Sequence, residues 1–479
     1  MTKSRISLPV IPYSTNLFQD FKKLDLFLSA CQKKLSRNKS GKIVSFSQQI
    51  PLVDPLVIIQ SLAPDRLHFY WENPSNTEAI AACDSTQLFT TDHSDRFVQS
   101  QQFVRNCLAK TIKIGDIHLP GAGPHFFCSF TFFPDSTDPY SPFPAATVFL
   151  PRWQIVRKNN CCILVVNLTF DQKENIKFIR QIIKDRIKSI DWEKYSLISR
   201  ENKIFSHLDR QFREDGGKQF SSTVNSVLKS IENQEFSKIV IADVLDVIYP
   251  IDFNLIQSLD NLRQRYPDCY IFSIGNGRGQ NFIGASPERL ISISAQQLIT
   301  DALAGSAPRG KTISEDVALA NKLLNSEKEI REHQAVREYI IQRLYQLGLN
   351  PQRSPLQLLK LSNIQHLWTP IYAEVPSEIS PLDIVARLHP TPAVAGVPRE
   401  IACQQIRHYE TFDRSLYAAP LGWIDDRGNS QFIVGIRSAL IEGNKARLYA
   451  GNGIVAGSDP EKEFAEVQLK LQSLLKALV

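Results

Sequence analysis

Two pairs of glutamates in the second half of the chain have a spacing that could bind a divalent cation. Glu329 and Glu332 lie three positions apart in one predicted helix, and Glu463 and Glu466 have the same spacing in another. Side chains three positions apart project from one face of a helix, so each helix would present two carboxylates together. Carboxylate oxygens suit Mg²⁺, which keeps several waters and shares its other positions with substrate oxygens. Taken singly, each pair fits a solvated helix face better than a metal site.

The decapeptide Asn281–Leu290, NFIGASPERL, places a further acid at the end of a predicted strand. The strand runs into three small residues and stops at Pro287, and Glu288 follows directly. A structural hairpin would instead favour Asn-Gly or Asp-Gly at such a turn. A carboxylate on a rigid strand end can be aimed into a cleft, so we interpret Glu288 as a candidate functional residue.

Two basic residues and a glycine-rich segment are further candidates. Lys238 begins the alternating strand KIVIADVLDVIY, where an exposed strand end is the ordinary explanation and a general base would have to be partly desolvated near a metal. Arg437 lies in the apolar run FIVGIRSA, predicted as a strand, and should pair with a carboxylate of the protein or of a ligand. Gly451 and Gly453 would let a backbone approach a ligand closely, although a flexible turn explains them equally well.

Two glycine motifs suggest nucleotide binding. Gly305–Thr312, GSAPRGKT, satisfies the P-loop pattern, in which Lys311 would contact phosphates and Thr312 a magnesium ion. Predicted hairpins surround it, however, and no convincing Walker-B acid follows. Gly275, Gly277 and Gly279 resemble a dinucleotide fingerprint, but a strand follows them where that motif needs a helix, so a hairpin turn explains them better.

Composition indicates an ordinary soluble globular protein. The 479 residues are 43% hydrophobic and 22% charged, and the net charge of +6 is spread along the chain, which argues against a nucleic-acid partner. The eight cysteines lack C-x-x-C spacing and are expected to be reduced and to pack as small hydrophobes. No apolar run is long enough for a membrane span, and the N-terminus lacks the apolar core of a secretory signal. We therefore expect a cytoplasmic protein without a membrane partner.

The hydrophobic periodicity predicts an α+β protein of antiparallel sheets flanked by helices, because strands arrive in hairpins more than in βαβ alternation. The best candidate for a boundary is the polar segment 209–220. Helices are predicted over 15–37, 95–109, 172–201, 220–233, 313–348, 401–410 and 460–478. Strands are predicted over 42–46, 66–71, 126–133, 145–155, 161–170, 238–249, a hairpin within 270–293, 298–303, 422–424, 431–442 and 445–452, and a loop over 134–144.

The segment 215–475 resembles the chorismate-utilising enzymes, which include isochorismate synthase, salicylate synthase, anthranilate synthase component I and aminodeoxychorismate synthase component I. Nine segments carry the resemblance in one order: SKIVIAD, FIGASPERL, LAGSAPRG, EKEIREHQAV, IQHLW, LHPTPAVAGVP, YAAPLGW, VGIRSA and GNGIVAGSDPEKEFAEVQLK. The resemblance implies large, mostly antiparallel sheets packed in a two-lobed sandwich. It also implies a variable N-terminal half, 1–208, and a chorismate-binding catalytic region, 209–479, intertwined as one unit. The resemblance also implies that the segment GSAPRGKT is the family's substrate loop and that its match to the P-loop pattern is a coincidence.

Two positions discriminate within this family. Lys238 stands where anthranilate synthases have a glutamine, which favours water over ammonia as the nucleophile. Ala304 stands where aminodeoxychorismate synthases have a nucleophilic lysine, and Ser306 keeps the hydroxyl of the usual threonine. The resemblance therefore implies an isomerase that converts chorismate to isochorismate for a menaquinone, phylloquinone or siderophore pathway. Salicylate synthase, which adds pyruvate elimination, is the alternative, and Ala393 favours the first activity.

The resemblance also implies roles for individual residues. Lys238 would be the general base for water attack at C2, and Glu288 the acid that releases the C4 hydroxyl. Glu332 and Glu466 would bind Mg²⁺, with Glu329 and Glu463 as direct or water-mediated ligands. The substrate-binding residues would be Gly305, Ser306, Ala393, Tyr417, Arg437, Gly451, Gly453 and Lys470. His366 and His389 receive no chemical role, no glutamine amidotransferase subunit is expected, and both a monomer and a homodimer remain open.

Overall fold

The structure is a computed structural model that describes residues 42–63, 65–73, 78–135, 141–170, 176–189, 216–361 and 364–479, together with Lys22, Asp25, Leu26, Leu28 and Ser29. The helix predicted over 15–37 lies outside the described residues apart from those five positions. The boundary segment 209–220 is described only from residue 216 onward.

Strands make up most of the described architecture. They are β1 (Lys42–Ile50), β2 (Leu67–Asn73), β3 (Glu78–Thr91), β4 (Thr111–Gly115), β5 (His125–Phe130), β6 (Ala146–Lys158), β7 (Cys161–Phe170), β8 (Lys238–Ile248), β9 (Tyr270–Asn276), β10 (Gln280–Ser286), β11 (Arg289–Ser294), β12 (Gln297–Pro308), β13 (Gln352–Arg353), β14 (Gln357–Lys360), β15 (Ile364–Glu374), β16 (Gly396–Val397), β17 (Pro420–Asp425), β18 (Ser430–Val434), β19 (Ser438–Glu442) and β20 (Lys445–Val455).

Helices flank these strands. In the described residues they are α1 (Leu56–Gln60), α2 (Arg96–Lys110), α3 (Ile176–Ser189), α4 (Gly216–Glu232), α5 (Leu255–Arg265), α6 (Ile313–Leu324), α7 (Glu327–Tyr345), α8 (Pro381–Leu388), α9 (Arg399–Tyr409) and α10 (Pro460–Leu478). None of them combines the length and apolar content that a membrane crossing requires.

The strands form one branched, mainly antiparallel sheet, which confirms the predicted fold class. The branch lies at β6, whose first part pairs with β5 and whose second part pairs with β7, while β3 runs along its other edge. One wing continues through β2, β9, β10, β19, β20, β8 and β16. The other continues through β17, β18, β11, β12 and β15. Among the described strands, β1 and β4 make the one parallel pair.

Strands from the first 208 residues pair directly with strands from the remainder of the chain. Leu67–Glu72 of β2 pairs with β9, and β17 pairs with β5 from His125 to Ser129. The largest fully buried side chains also come from both parts, among them Trp71, Trp153 and Phe272. The two parts thus share one sheet and one core, and the proposed division at residue 208 does not separate two cores.

Most predicted elements are present, and two differ in an informative way. The helix predicted over 313–348 is two helices, because α6 ends at Leu324 and Ser326 caps α7 by accepting a hydrogen bond from the Glu329 N–H at 3.4 Å. The strand predicted over 431–442 is also two, because Arg437 has a φ of +49°, which a strand cannot accommodate. The seven cysteines within the described residues are free, as predicted.

Candidate active site

A cavity of about 160 Å³ lies where β8, β12, β15 and β20 meet helices α7 and α10. Eleven of the fourteen site residues predicted from the sequence line it: Glu288, Gly305, Ser306, Glu332, Ala393, Tyr417, Arg437, Gly451, Gly453, Glu466 and Lys470. Lys238, Glu329 and Glu463 are not in its lining. Each of these three contacts a lining residue, so they form a layer directly behind the wall.

The turn after β10 fixes Glu288 at the cavity. The Ser286 hydroxyl donates to the Val434 carbonyl at 2.6 Å and accepts from the Glu288 N–H at 3.1 Å. The Val434 N–H in turn donates to the Glu288 carbonyl at 3.0 Å. The turn is therefore hydrogen-bonded to β18 on both sides of Pro287, and the Glu288 carboxyl has a rigid support.

Burial raises the pKa of the Glu288 carboxyl to about 7, against the lowering effect of Lys238 and with help from Asp301. The carboxyl is thus protonated in a large fraction of molecules near neutral pH. A carboxylic acid in this state can donate a proton to a leaving group.

Strand β10, which leads into this turn, also fixes the position of Arg437. The Ala285 N–H donates to the Arg437 carbonyl at 3.1 Å, and a Cβ on Gly284 would lie 2.6 Å from that oxygen. Gly284 therefore has to be a glycine, and the close approach accompanies the left-handed backbone of Arg437, an uncommon conformation for a residue with a side chain. One short segment supports both the candidate acid and a candidate substrate cation.

The Arg437 guanidinium faces the cavity and donates to the Cys269 thiol at 3.8 Å. No carboxylate of the described residues forms a salt bridge with it, so the predicted protein partner is absent from this part of the chain. A ligand carboxylate remains the partner that chemistry would favour.

Helices α7 and α10 bring their glutamate pairs to strands of the cavity. Glu332 Oε1 lies 2.6 Å from Lys238 Nζ at the start of β8, and Glu329 accepts from the Ser306 N–H of β12 at 3.2 Å. On α10, Glu463 accepts from the Asn452 amide at 2.5 Å.

The pKa values of these carboxyls reflect a crowded set of negative charges. Burial and the neighbouring Glu332 raise the pKa of Glu329, and burial raises that of Glu463. Burial opposes ionisation of Glu466 too, but the charge and the hydrogen bond of Lys470, 2.9 Å away, together with a hydrogen bond from Asn452, outweigh it and lower the pKa. As placed, no three acidic, histidine or cysteine side chains of the described residues converge closely enough to hold a metal ion. The predicted magnesium site thus stays a prediction.

Gly451 and Gly453 lie within β20, so the alternative of a flexible turn is wrong. A Cβ on Gly451 would meet the Tyr417 hydroxyl at 2.9 Å, and one on Gly453 would meet Lys238 Cε at 3.0 Å. A side chain at either position would crowd Tyr417 or Lys238, and glycine leaves room for both. Lys470 completes this wall by donating to the Gly451 carbonyl at 3.1 Å.

His366 is a cavity residue whose position the sequence analysis left without a role. Its Nδ1 lies 2.8 Å from the Ser306 hydroxyl, directly across β12 and β15, and its buried Nε2 has no partner among the described residues. Burial lowers the pKa of His366 to about 3, so the ring is neutral. No sequence signal marks this position, because the pairing that sets it opposite Ser306 joins residues 60 positions apart. His389, by contrast, packs on Phe132 and bonds the Ala418 carbonyl in the core.

The P-loop pattern has a different structure from a phosphate-binding loop. Gly305–Pro308 belongs to β12 and pairs with β15. The Gly310 N–H donates to Asp316 at 3.1 Å, the Lys311 N–H donates to Glu315 at 2.8 Å, and the Thr312 hydroxyl caps α6. Acidic side chains occupy the donors that a phosphate would need, which argues against nucleotide binding. Gly277 and Gly279, both with positive φ, lie in the predicted β9–β10 turn, and Gly275 lies near the end of β9.

Fold and site together define a chorismate-utilising type of enzyme, and comparison with known proteins agrees. The model of the family described as "Chorismate binding enzyme" matches residues 27–479. The chain belongs to this family.

Several of the similar proteins are isochorismate synthases. The chain is 29% identical over 448 residues to isochorismate synthase MenF of Bacillus subtilis, covering 91% of this chain and 93% of that protein. It is 39% identical over 268 residues to the salicylate biosynthesis isochorismate synthase of Pseudomonas aeruginosa, a match that spans 54% of this chain and 55% of that one. The structure of MenF, the menaquinone-specific isochorismate synthase from Escherichia coli, matches with a TM-score of 0.76 at 27% identity over 95% of this chain and all of that one. Anthranilate synthase component I from Streptococcus pneumoniae, at 19% identity and a TM-score of 0.66, shares the fold.

Proposed function

We propose that this protein is an isochorismate synthase, an isomerase that converts chorismate to isochorismate. The observation that carries the proposal is the pairing of a buried acid, Glu288, whose pKa is about 7, with Lys238, whose charge acts on it. Ala304 offers no nucleophile in this region, so a water molecule is the natural attacking group. The full-length similarity to MenF of Bacillus subtilis supports the same activity.

Lys238 acts as the general base. Its side chain is buried and lies 2.6 Å from Glu332, so the ammonium first has to give up a proton, for which Glu332 is the nearest acceptor, before the neutral amine can take a proton from water. The water oxygen then forms a bond to C2 of the chorismate ring, and the proton moves to the Lys238 nitrogen. Both ring double bonds shift as the new C–O bond forms, from C1=C2 to C1=C6 and from C5=C6 to C4=C5.

Glu288 acts as the general acid. As the two ring double bonds shift, the bond between C4 and its hydroxyl oxygen breaks. Glu288 donates its carboxyl proton to this oxygen, so that the hydroxyl group leaves as water. One water enters and one leaves, so the product is an isomer of the substrate. A carboxyl whose pKa matches the working pH is suited to this transfer.

Cations and backbone groups hold the anionic substrate. Arg437, which has no carboxylate partner in the described residues, binds the enolpyruvyl carboxylate together with Tyr417 and the backbone near Gly451 and Gly453. Gly305, Ser306, Ala393 and Lys470 complete the pocket. The guanidinium can bind a carboxylate through two parallel hydrogen bonds, which fixes orientation as well as position.

Glu329, Glu332, Glu463 and Glu466 supply the carboxylate oxygens that a hard cation prefers, although they would have to move closer together than in this structure to share one ion. Burial raises the pKa of Glu329 and of Glu463, with smaller contributions from the charges of Glu332 and Glu466, and a bound cation would relieve this repulsion. Mg²⁺ held by Glu332 and Glu466, with Glu329 and Glu463 as further ligands, would supply positive charge for the ring carboxylate.

Replacement of a metal ligand tests this site. Glu466→Gln removes one charged oxygen, so we expect the Mg²⁺ concentration for half-maximal activity to rise at least roughly tenfold, as for the loss of a ligand-supporting group. Mg²⁺ titrations by rate and by calorimetry measure it. Glu461→Gln, an exposed acid on the same helix, is the matched control. Identical titrations for wild type and Glu466→Gln would contradict the assignment.

The reaction product distinguishes an isochorismate synthase from a salicylate synthase. Purified protein is incubated with chorismate and Mg²⁺, and the products are separated by chromatography. We expect isochorismate; salicylate and pyruvate would instead establish a salicylate synthase. The product does not depend on whether the downstream pathway makes a quinone or a siderophore.

A further inference from the structure

A buried ion pair outside the set of reacting groups connects three walls of the cavity. Arg414 and Glu410 lie in the segment between α9 and β17, and their side chains are 0% and 2% exposed. The guanidinium donates to the Glu410 carboxylate from Nε at 2.8 Å and from a terminal nitrogen at 2.6 Å. This two-point contact holds the guanidinium plane in one orientation.

The remaining hydrogen bonds of the pair reach the backbone of two other segments. Arg414 donates to the Val240 carbonyl of β8 at 2.8 Å and to the Val394 carbonyl at 2.9 Å. The Glu410 carboxylate accepts from the Ala242 N–H of β8, also at 2.8 Å. Val240 and Val394 both line the cavity.

The pair also supports Tyr417. The Tyr417 N–H donates to the Arg414 carbonyl at 2.7 Å, and the guanidinium lies 5.8 Å from the centre of the Tyr417 ring. The same guanidinium also lies 4.5 Å from the centre of the Phe132 ring. Four of the five guanidinium N–H donors therefore have partners within the protein, so the side chain is held in place by its own surroundings.

We propose that the Glu410–Arg414 pair is a positioning device that sets the distance between the general base, the Ala393–Val394 wall and Tyr417. This inference rests on the proposed function. Lys238 is two residues from Val240 on β8, so a shift of that strand moves the base. A buried ion pair is a poor source of stability compared with apolar packing, and its value here lies in directional bonds to three segments.

Arg414→Lys tests the proposal, because lysine keeps the charge and loses the planar fork. We expect kcat for chorismate to fall roughly 10- to 100-fold per folded molecule, as for a displacement of about 1 Å, and KM to rise. Glu410→Gln, which keeps the volume of the side chain, should change both constants in the same direction to a smaller extent. If Arg414→Lys does not fold, the kinetic constants of Glu410→Gln decide the test.

Arg263→Lys is the matched control. Arg263 is another largely buried arginine, paired with Asp54, Glu72 and Asp260, and none of these residues lines the cavity. We expect this variant to lose thermal stability while kcat and KM stay at wild-type values.

Each outcome decides a separate point. A wild-type protein that makes no isochorismate removes the proposed function itself. With an active wild type, unchanged constants in a folded Arg414→Lys or Glu410→Gln variant overturn the positioning role. An equal loss of kcat in Arg263→Lys at equal thermal stability would overturn it as well.

Discussion

At the scale of single residues, Glu288 is the side chain on which the chemistry depends most. Its turn is rigid because Ser286 and Val434 bond both sides of Pro287, and burial raises its pKa to about 7. Asp301 contributes to this pKa and is itself held by two hydrogen bonds from Arg289 at 2.9 Å. The protonated acid therefore results from desolvation, with a smaller contribution from a fixed neighbouring charge.

Glu288→Gln should remove activity and change the pH dependence of stability. Because the pKa rises from 4.5 to about 7 on folding, the folded state holds the proton more tightly. The wild-type free energy of unfolding therefore falls as pH increases from about 4.5 to about 7, a loss of about 3 kcal/mol. We expect Glu288→Gln to be more stable than wild type at pH 8 by up to about this amount, and to lose the advantage near pH 4. Denaturant unfolding across this pH range measures the difference.

An exposed acid provides the control for this experiment. Glu378→Gln removes a carboxyl at the surface and should leave the pH dependence of stability as in wild type. A parallel pH dependence for wild type and Glu288→Gln would contradict the raised pKa.

Eleven residues of the cavity lining were predicted, and five of them, Gly305, Ser306, Ala393, Tyr417 and Lys470, followed only from the family resemblance. Glu288 could be identified because an acid directly after a strand-ending Ser-Pro is unusual, whereas each glutamate pair taken singly fits a solvated helix face and gained its role from the resemblance. The environment of Arg437 could not be predicted, since its conformation depends on Gly284 and Ala285 of a strand more than 150 positions earlier, and its thiol contact comes from Cys269. The role of His366 was missed for the same reason.

At the scale of elements, the turn between β10 and β11 has a specific hydrogen-bond requirement. Ser286→Ala removes the donor to Val434 and the acceptor for the Glu288 N–H, so we expect a loss of about 1–3 kcal/mol in stability. The carboxyl also loses its fixed position, and kcat should fall roughly tenfold or more. Denaturant unfolding and steady-state kinetics measure the two effects.

Ser258→Ala separates stability from catalysis. Ser258 is fully buried and donates to the Leu478 carbonyl at 2.8 Å, where α5 meets α10, away from the cavity lining. It should lose similar stability and keep its kcat. If the two variants lose kcat to the same extent, the turn has no special role.

Elements with strong local signals were predicted well. Helix α10 has the predicted limits, because Asp459 caps it and Pro460 occupies its first turn. GSAPRGKT illustrates the limit of local pattern, since its residues Ser306–Pro308 pair with β15 about 60 positions later and Gly305 lies at a bulge in this pairing. Strand pairing at that distance leaves no trace in the eight residues of the motif.

At the scale of the whole molecule, one sheet joins the first 208 residues to the rest. A fragment of residues 209–479 would expose the edges of β9 and β17 that pair with β2 and β5. Unpaired edges of this kind promote aggregation. We expect the fragment to be insoluble or unfolded when expressed alone, as measured by size-exclusion chromatography and circular dichroism. A soluble, active fragment would show that the region is an independent domain.

The general architecture was predictable because hairpins produce antiparallel sheets and their turns are marked by glycine. The branching at β6 was not, because the two parts of that strand have different partners, β5 and β7. The pairing of β2 with β9 joins residues some 200 positions apart, so it could not be predicted from the sequence either. The position of the cavity follows from this long-range pairing.

The most direct test of the proposed reaction follows the oxygen atom that enters the product. Purified protein is incubated with chorismate and Mg²⁺ in water enriched in oxygen-18, and the products are separated and analysed by mass spectrometry. Water attack at C2 with loss of the C4 hydroxyl predicts isochorismate carrying one heavy oxygen at C2. Unlabelled isochorismate, or salicylate with pyruvate, would contradict it.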